Sequence, residues 1–250
     1  MENQEMSPES DQSLGNRITN IFAGPSEAFD GLKTAPPRSS HWVIPLVISA
    51  TLGVLFVYLM YTNETIRSQM YDMQAKGFQE RVESGQMTQQ QADQIRDQME
   101  QTGLGMWMAF TSIPVLIFTA LYFFIGALFL WLASKVAWKT QLKYGKYLEV
   151  YGLATWIGIL GSLIYMGMVL GMNSMWVTPS LGLLFMDSYD PFNTMHKFAS
   201  AVNVFSVWQA VVTGIGLSKL ADKPPGAGIG VAVILWVIWV AVGVPLGLIR

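Results

Sequence analysis

The sequence contains no cysteine and only two histidines, His41 and His196. Disulfides, thiolate catalysis and Cys-ligated metals are excluded, and a multi-histidine metal site has too few ligands. Charge is scarce as well. Only 13% of residues are Asp, Glu, Lys or Arg, against roughly 25% in soluble domains. No G-x-S-x-G, H-E-x-x-H or P-loop pattern occurs. Apolar residues fill the space instead, at 52% of the chain. Lipid-facing surface has no use for charge, so this pairing of deficit and excess marks a polytopic membrane protein.

Residues 42–61, WVIPLVISATLGVLFVYLMY, run for 20 positions without a charge and carry aromatics at both ends. That is enough helix to cross about 30 Å of hydrocarbon. Similar runs occupy about 106–134, 148–172, 198–217 and 229–249. The expected fold is all-α: a five-helix transmembrane bundle. The residues ahead of position 42 are not basic and no small-residue cleavage site follows the first run, which therefore reads as a retained anchor.

Residues 1–15 are Ser-, Glu- and Gln-rich without apolar periodicity and read as a disordered tail. In 16–37, Ile18, Ile21, Phe22, Pro25, Phe29 and Leu32 recur at steps of 3, 1, 3, 4 and 3, within the i+3/i+4 spacing of one helical face. This stripe predicts amphipathic helices lying on the bilayer surface, with docking against the bundle end as the competing reading. Gly24-Pro25 serves as a joint, because proline suits a helix's first turn. Between the first two spans, 62–103 is charged and Gln-rich. Ile66, Met70 and Met73 keep helical spacing, as do Ala92, Ile95 and Met99, and Thr88 with Gln91 forms a capping-box pattern. A helical hairpin outside the bilayer is expected there, either a solvated spacer or a docking module.

Five spans put the termini on opposite sides. With the N-terminus cytosolic, Arg17, Lys33, Arg38, the four lysines of 135–146, Lys219 and Lys223 lie inside. Arg67, Lys76, Arg81, Arg96, Lys197 and Arg250 lie outside, six against nine, which favours N-in and C-out. Lys135, Lys139, Lys143 and Lys146 are interleaved with Trp138, Tyr144 and Tyr147. They suit anionic headgroups, although topology-setting charge explains them equally well.

Within the fourth span, Ser200, Asn203, Ser206 and Thr213 form one polar stripe flanked by Gln209. Such groups should face the bundle, as interhelical hydrogen bonds or as a solute path. Gly167 with Gly171 and Gly243 with Gly247 have the small-xxx-small spacing of close helix packing. Asp187, Asp190 and His196 are the one candidate acid–base set on the outer side, and read more simply as a polar loop. No catalytic, cofactor or metal site is expected.

The order Ile21-Phe22, Pro25, Phe29, Leu32, Pro36, Trp42 and Pro45-Leu46 carries a resemblance. So do KYGKYLEVYGLA ahead of the third span and Phe205-Ser-Val-Trp208 with Gly214 in the fourth. Together these resemble the Yip-domain family, five-helix membrane proteins named for interacting with Ypt/Rab GTPases. The resemblance implies a non-enzymatic membrane protein with a cytosolic N-terminus. Eukaryotic members act in traffic between endoplasmic reticulum and Golgi, and some prokaryotic relatives accompany ABC-type efflux systems. The 62–103 insertion and the short N-terminal region depart from the eukaryotic pattern. They favour a prokaryotic accessory or scaffold protein of the inner membrane, with a small-solute permease as the alternative. The expected partners are the bilayer, membrane proteins such as ABC-type transporter components, and a second copy of the chain. Nucleic acid is not among them.

Overall fold

Each long apolar run contributes one spanning helix. The computed structural model describes residues 12–249, so most of the 1–15 tail and Arg250 lie outside the described residues. The helices are α1 (Leu14–Ala23), α2 (Pro25–Ala28), α3 (Ser40–Thr62), α4 (Glu64–Glu83) and α5 (Gln89–Gln101). They continue with α6 (Leu104–Trp138), α7 (Tyr144–Met172), α8 (Thr194–Ala201), α9 (Val204–Ala221) and α10 (Pro225–Gly243). A 3-10 helix, Leu181–Ser188, precedes α8. Five helices, α3, α6, α7, α9 and α10, are long and apolar enough to cross a membrane. The chain is a multi-pass integral membrane protein.

Local chemistry moves several boundaries from their sequence-based positions. The fourth span begins at Val204, not 198. Asn203 accepts the Phe205 N–H at 2.8 Å and caps α9, while residues 198–201 belong to the separate helix α8. The fifth starts earlier than 229 because Pro225 occupies the first turn, where a missing N–H costs nothing. It ends at Gly243, and the chain then turns with Gly247 at φ 68°. Ser13 accepts the Asn16 N–H, so the first helix takes in Leu14 and Gly15 from the stretch read as tail. In the hairpin, Thr88 N–H donates to Gln91 Oε1 (2.9 Å) and Gln91 N–H to Thr88 Oγ1 (3.2 Å), two helix-end donors satisfied reciprocally.

Helix α7 holds the centre, touching α3, α6 and α9, and α10 packs along α9. The buried residues of α7 run from Lys146 through Thr155 and on to Val169. The close approaches lie elsewhere than the small-xxx-small pairs suggest. Gly167, Gly171 and Gly247 face open space. A Cβ on Gly152 would stand 2.5 Å from the His41 carbonyl oxygen and the Trp42 Cα, so α7 and α3 meet backbone to backbone. Gly228 and Gly214 do the same for α10 and α9, a Cβ on either meeting the other helix's main chain. The spacing motif fails because it records small residues without recording which face of the helix meets a neighbour.

Gly228→Ala should therefore force α9 and α10 apart, at about 1–3 kcal/mol for overpacking. Gly167→Ala, which meets nothing, should be neutral or slightly stabilising. Thermal unfolding of the two variants in the same detergent checks the contrast.

Candidate functional site

The N-terminal segment reaches one end of the bundle and is locked there. Ile21, Ala28, Phe29 and Leu32 are fully or almost fully buried, in one cluster with Tyr147, Val150, Leu217 and Leu220. Phe29 fits against Gly216, where a Cβ would come within 2.8 Å of its ring. Ile18 is half-buried. Phe22 stays 38% exposed, edge-on to Trp208 at 5.9 Å. The apolar stripe is thus used mainly against the protein rather than a bilayer surface. Periodicity reports an apolar partner without saying which. Arg17, itself buried, donates to the Ala28 carbonyl at 2.6 Å and staples α1 to α2.

Charge completes the attachment. Asp30 pairs with Lys219 at 2.6 Å, and Lys33 pairs with Asp222 at the C-terminal cap of α9. Deeper in, Lys146 on α7 donates to the Leu32 and Ala35 carbonyls, both at 2.7 Å. Its ammonium also lies 2.9 Å from Glu149 Oε2, as an ion pair off the hydrogen-bonding direction. Glu149 Oε1 accepts the Arg38 N–H at 2.8 Å and faces His41 Nδ1 at 3.0 Å. A carboxylate only accepts, so the shared proton sits on His41 Nδ1. Lys146, Glu149 and His41 are 6%, 1% and 2% exposed. One buried carboxylate therefore ties together α7, the start of α3 and the loop between α2 and α3.

The four lysines divide. Lys135, Lys139 and Lys143 are exposed, with Lys135 Nζ 4.1 Å above the Trp131 ring, whereas Lys146 is consumed by the network. Glu149 escaped the sequence reading because it stands at the edge of an apolar run, where a lone acid looks like an interfacial residue. Its spacing of three from Lys146 was the available signal.

The polar stripe lines an open-mouthed cavity of about 320 Å³. Ser200, Asn203, Ser206 and Gln209 border it, with Tyr122 and Trp239 opposite. Thr213, further along α9, lines an adjoining apolar cavity of about 330 Å³. Within the stripe, Ser206 Oγ donates to the Asn203 carbonyl at 2.8 Å and Asn203 caps α9, so two of the five polar groups serve their own helix. Gln209 reaches α7 at Gly158, where a Cβ would stand 2.6 Å from its amide oxygen.

Among the described side chains, the loop between α7 and α8 offers no acid–base pair. The Asp190 N–H donates to His196 Nδ1 at 3.0 Å, and Asp190 Oδ1 accepts from Phe192 N–H. The His196 ring stacks on Phe185 at 4.6 Å and Tyr189 at 5.7 Å. The Asp187 side chain lies outside those described. Among the described residues no group of three or more His, Cys, Asp or Glu is placed to hold a metal.

Five spanning helices, with an N-terminal strap buried against one end of the bundle, define a multi-pass helical membrane protein. The Yip1 domain matches residues 19–246, from within α1 to the turn after α10. The chain belongs to the Yip1 domain family. No curated protein and no solved structure matched it.

Removing one partner from a buried ion pair strands the other, at a cost of about 3–5 kcal/mol. Glu149→Ala should accordingly cause a large loss of thermal stability and open residues 30–38 to hydrogen exchange. Glu149→Gln, which still accepts the Arg38 N–H, should lose less. A Glu149→Ala strap as protected as the wild type would show that the network does not hold it.

Proposed function

We propose that the protein is a non-enzymatic accessory or scaffold subunit of a membrane complex, and that the α4–α5 hairpin is its docking arm. The observation that carries this reading is how the hairpin is held. At its root, Asn63 Nδ2 donates to Asn173 Oδ1 at 3.0 Å. Gln69 bridges the Asn173 carbonyl (2.8 Å) and the Met175 N–H (3.0 Å). Further out the side-chain hydrogen bonds are internal, such as Gln79 to Glu83 and Gln89 to Asp93. Asp72, Lys76, Glu80 and Arg81 are exposed along the arm. A mixed-charge surface projected from a fixed root suits a polar docking interface better than a passive spacer.

The strapped end, with Lys135, Lys139 and Lys143 on its rim, is the cytosolic face in this reading. The hairpin and the C-terminus are outside, as the loop charges favour. Those three lysines then meet anionic headgroups. The membrane is a bacterial inner membrane, and the partner is a component of an ABC-type efflux system. A small-solute permease is the second reading, favoured by the cavity along the polar stripe. Gln209→Leu tests it better than any change at Asn203, which would also uncap α9. Absence of flux through the unmutated protein in liposomes removes it.

Replacing residues 64–101 by a short Gly/Ser bridge tests the docking arm. Recovery of the ABC-type component in mild detergent, measured by quantitative mass spectrometry, should fall about tenfold, equal to roughly 1.4 kcal/mol of binding. Unchanged recovery with a folded bundle would take the hairpin out of the interface.

A further inference from the structure

The bundle is not filled behind α9. The two cavities of about 320 and 330 Å³ adjoin, sharing Tyr122, Ser206, Gln209, Trp236 and Trp239 as walls. Each alone falls in the size range of small-molecule sites, about 300–1,000 Å³. They differ in chemistry. The first is bordered by the end of α8 and presents Ser162, Thr178, Ser200 and Asn203. The second runs between α6 and α10, walled by Phe118, Leu121, Ile125, Phe129 and Leu235. Its slot exists because α6 and α10 both pack on other helices and touch each other sparsely.

We propose that the joined cavities bind one uncharged glycerolipid of the diacylglycerol class, its hydroxyl and ester end in the first chamber and an acyl chain in the second. Three observations support this occupant. First, Ser200 is 5% exposed, and its Oγ has no hydrogen-bond partner among the described residues, although it borders the polar chamber. A buried hydroxyl left unpaired is costly, and Ser200 Oγ, closed off against Gly182, gains a partner when a side-chain rotation turns it onto a ligand oxygen in the chamber. Second, no charged side chain lines either chamber. A phosphate or ammonium headgroup would be stripped of water with nothing to balance it, so the polar end is neutral. Third, the apolar slot opens between spanning helices, where the surrounding medium is hydrocarbon and an acyl chain loses nothing by entering.

The polarity also runs the right way for a lipid in its leaflet. The hydrogen-bonding chamber lies next to the extramembrane turn of residues 178–203, and the apolar one runs inward along α6 and α10. Tyr122 and Trp239, edge-on at 5.4 Å, stand where the chambers join. The inference holds whether or not the hairpin docks a partner.

The test uses the full chain in phosphatidylcholine nanodiscs carrying a small fraction of diazirine-chain diacylglycerol, irradiated and mapped by peptide mass spectrometry. Labelling should concentrate on the facing sides of α6 and α10. Unlabelled diacylglycerol should compete, and phosphatidylglycerol or free glycerol in excess should not. Ser200→Ala removes an unbonded hydroxyl and should leave the fold intact while weakening labelling about fivefold, the effect of one hydrogen bond. Leu235→Trp should fill the slot and abolish labelling of α6. Labelling spread evenly over all lipid-facing helices would overturn the proposal. So would equal competition by phosphatidylglycerol or by glycerol, or labelling unchanged in both variants.

Discussion

A single carboxylate, that of Glu149, sets how the strapped end of this protein is assembled. It is almost completely buried, and bulk water is replaced by three designed contacts: the Lys146 ammonium, the His41 imidazole and the Arg38 main-chain N–H. A buried charge is tolerated only when such partners surround it. Those partners come from three separate stretches, so satisfying the charge dictates where the stretches must meet. Lys146 then extends the same logic outward, because its remaining donors find the Leu32 and Ala35 carbonyls. Those carbonyls belong to a loop with no regular ladder to occupy them. Hydrophobic burial of Phe29 and Leu32 gives the strap its adhesion, and the charged network gives it one register.

The five spans, their order and the hairpin were legible because each depends on local pattern. An uncharged run of 20 residues, or a Thr followed three positions later by Gln, has the same consequence wherever it occurs. The strap shows where local pattern stops being enough. Its stripe of Ile21, Phe29 and Leu32 was plain, yet an apolar stripe fits a bilayer and a protein groove equally well. The deciding facts are a small residue at Gly216, which admits the Phe29 ring, and Glu149, which fixes the following loop. Both are more than a hundred residues away along the chain. The same holds for Gly214 and Gly228, which matter because they face one another, whereas Gly167 and Gly171 share the motif and face nothing.

The polar stripe of α9 illustrates a subtler limit. Spacing placed Ser200, Asn203, Ser206 and Thr213 on one helical face, but Ser200 is not on that helix. The chain breaks at Val202 and restarts with Asn203 as cap. The stripe therefore comes from two elements, and its members differ in kind. Asn203 and Ser206 satisfy main-chain groups of α9, while Ser200 projects from α8 without a partner. A helix interrupted near the end of a span exposes main-chain donors that a short polar residue readily caps. Polar residues so placed begin as caps, and only those left over are available for a ligand.

Packing order explains why room for such a ligand exists at all. With α7 central, α3, α6 and α9 each bury a face against it, and α10 spends its glycines on α9. Four helices set about a fifth need not close a ring, and here a seam opens between α6 and α10, which touch each other sparsely. In water an apolar seam of this size would be squeezed shut or covered. In hydrocarbon there is no such pressure, since lipid chains solvate Phe118 and Leu235 as well as another helix would. The seam is stable because of where the protein sits, and the backbone contacts that fix α10 against α9 keep it from collapsing. The strapped end holds its charges by enclosing them completely. The opposite end leaves one buried hydroxyl unpaired beside a slot whose walls suit an acyl chain.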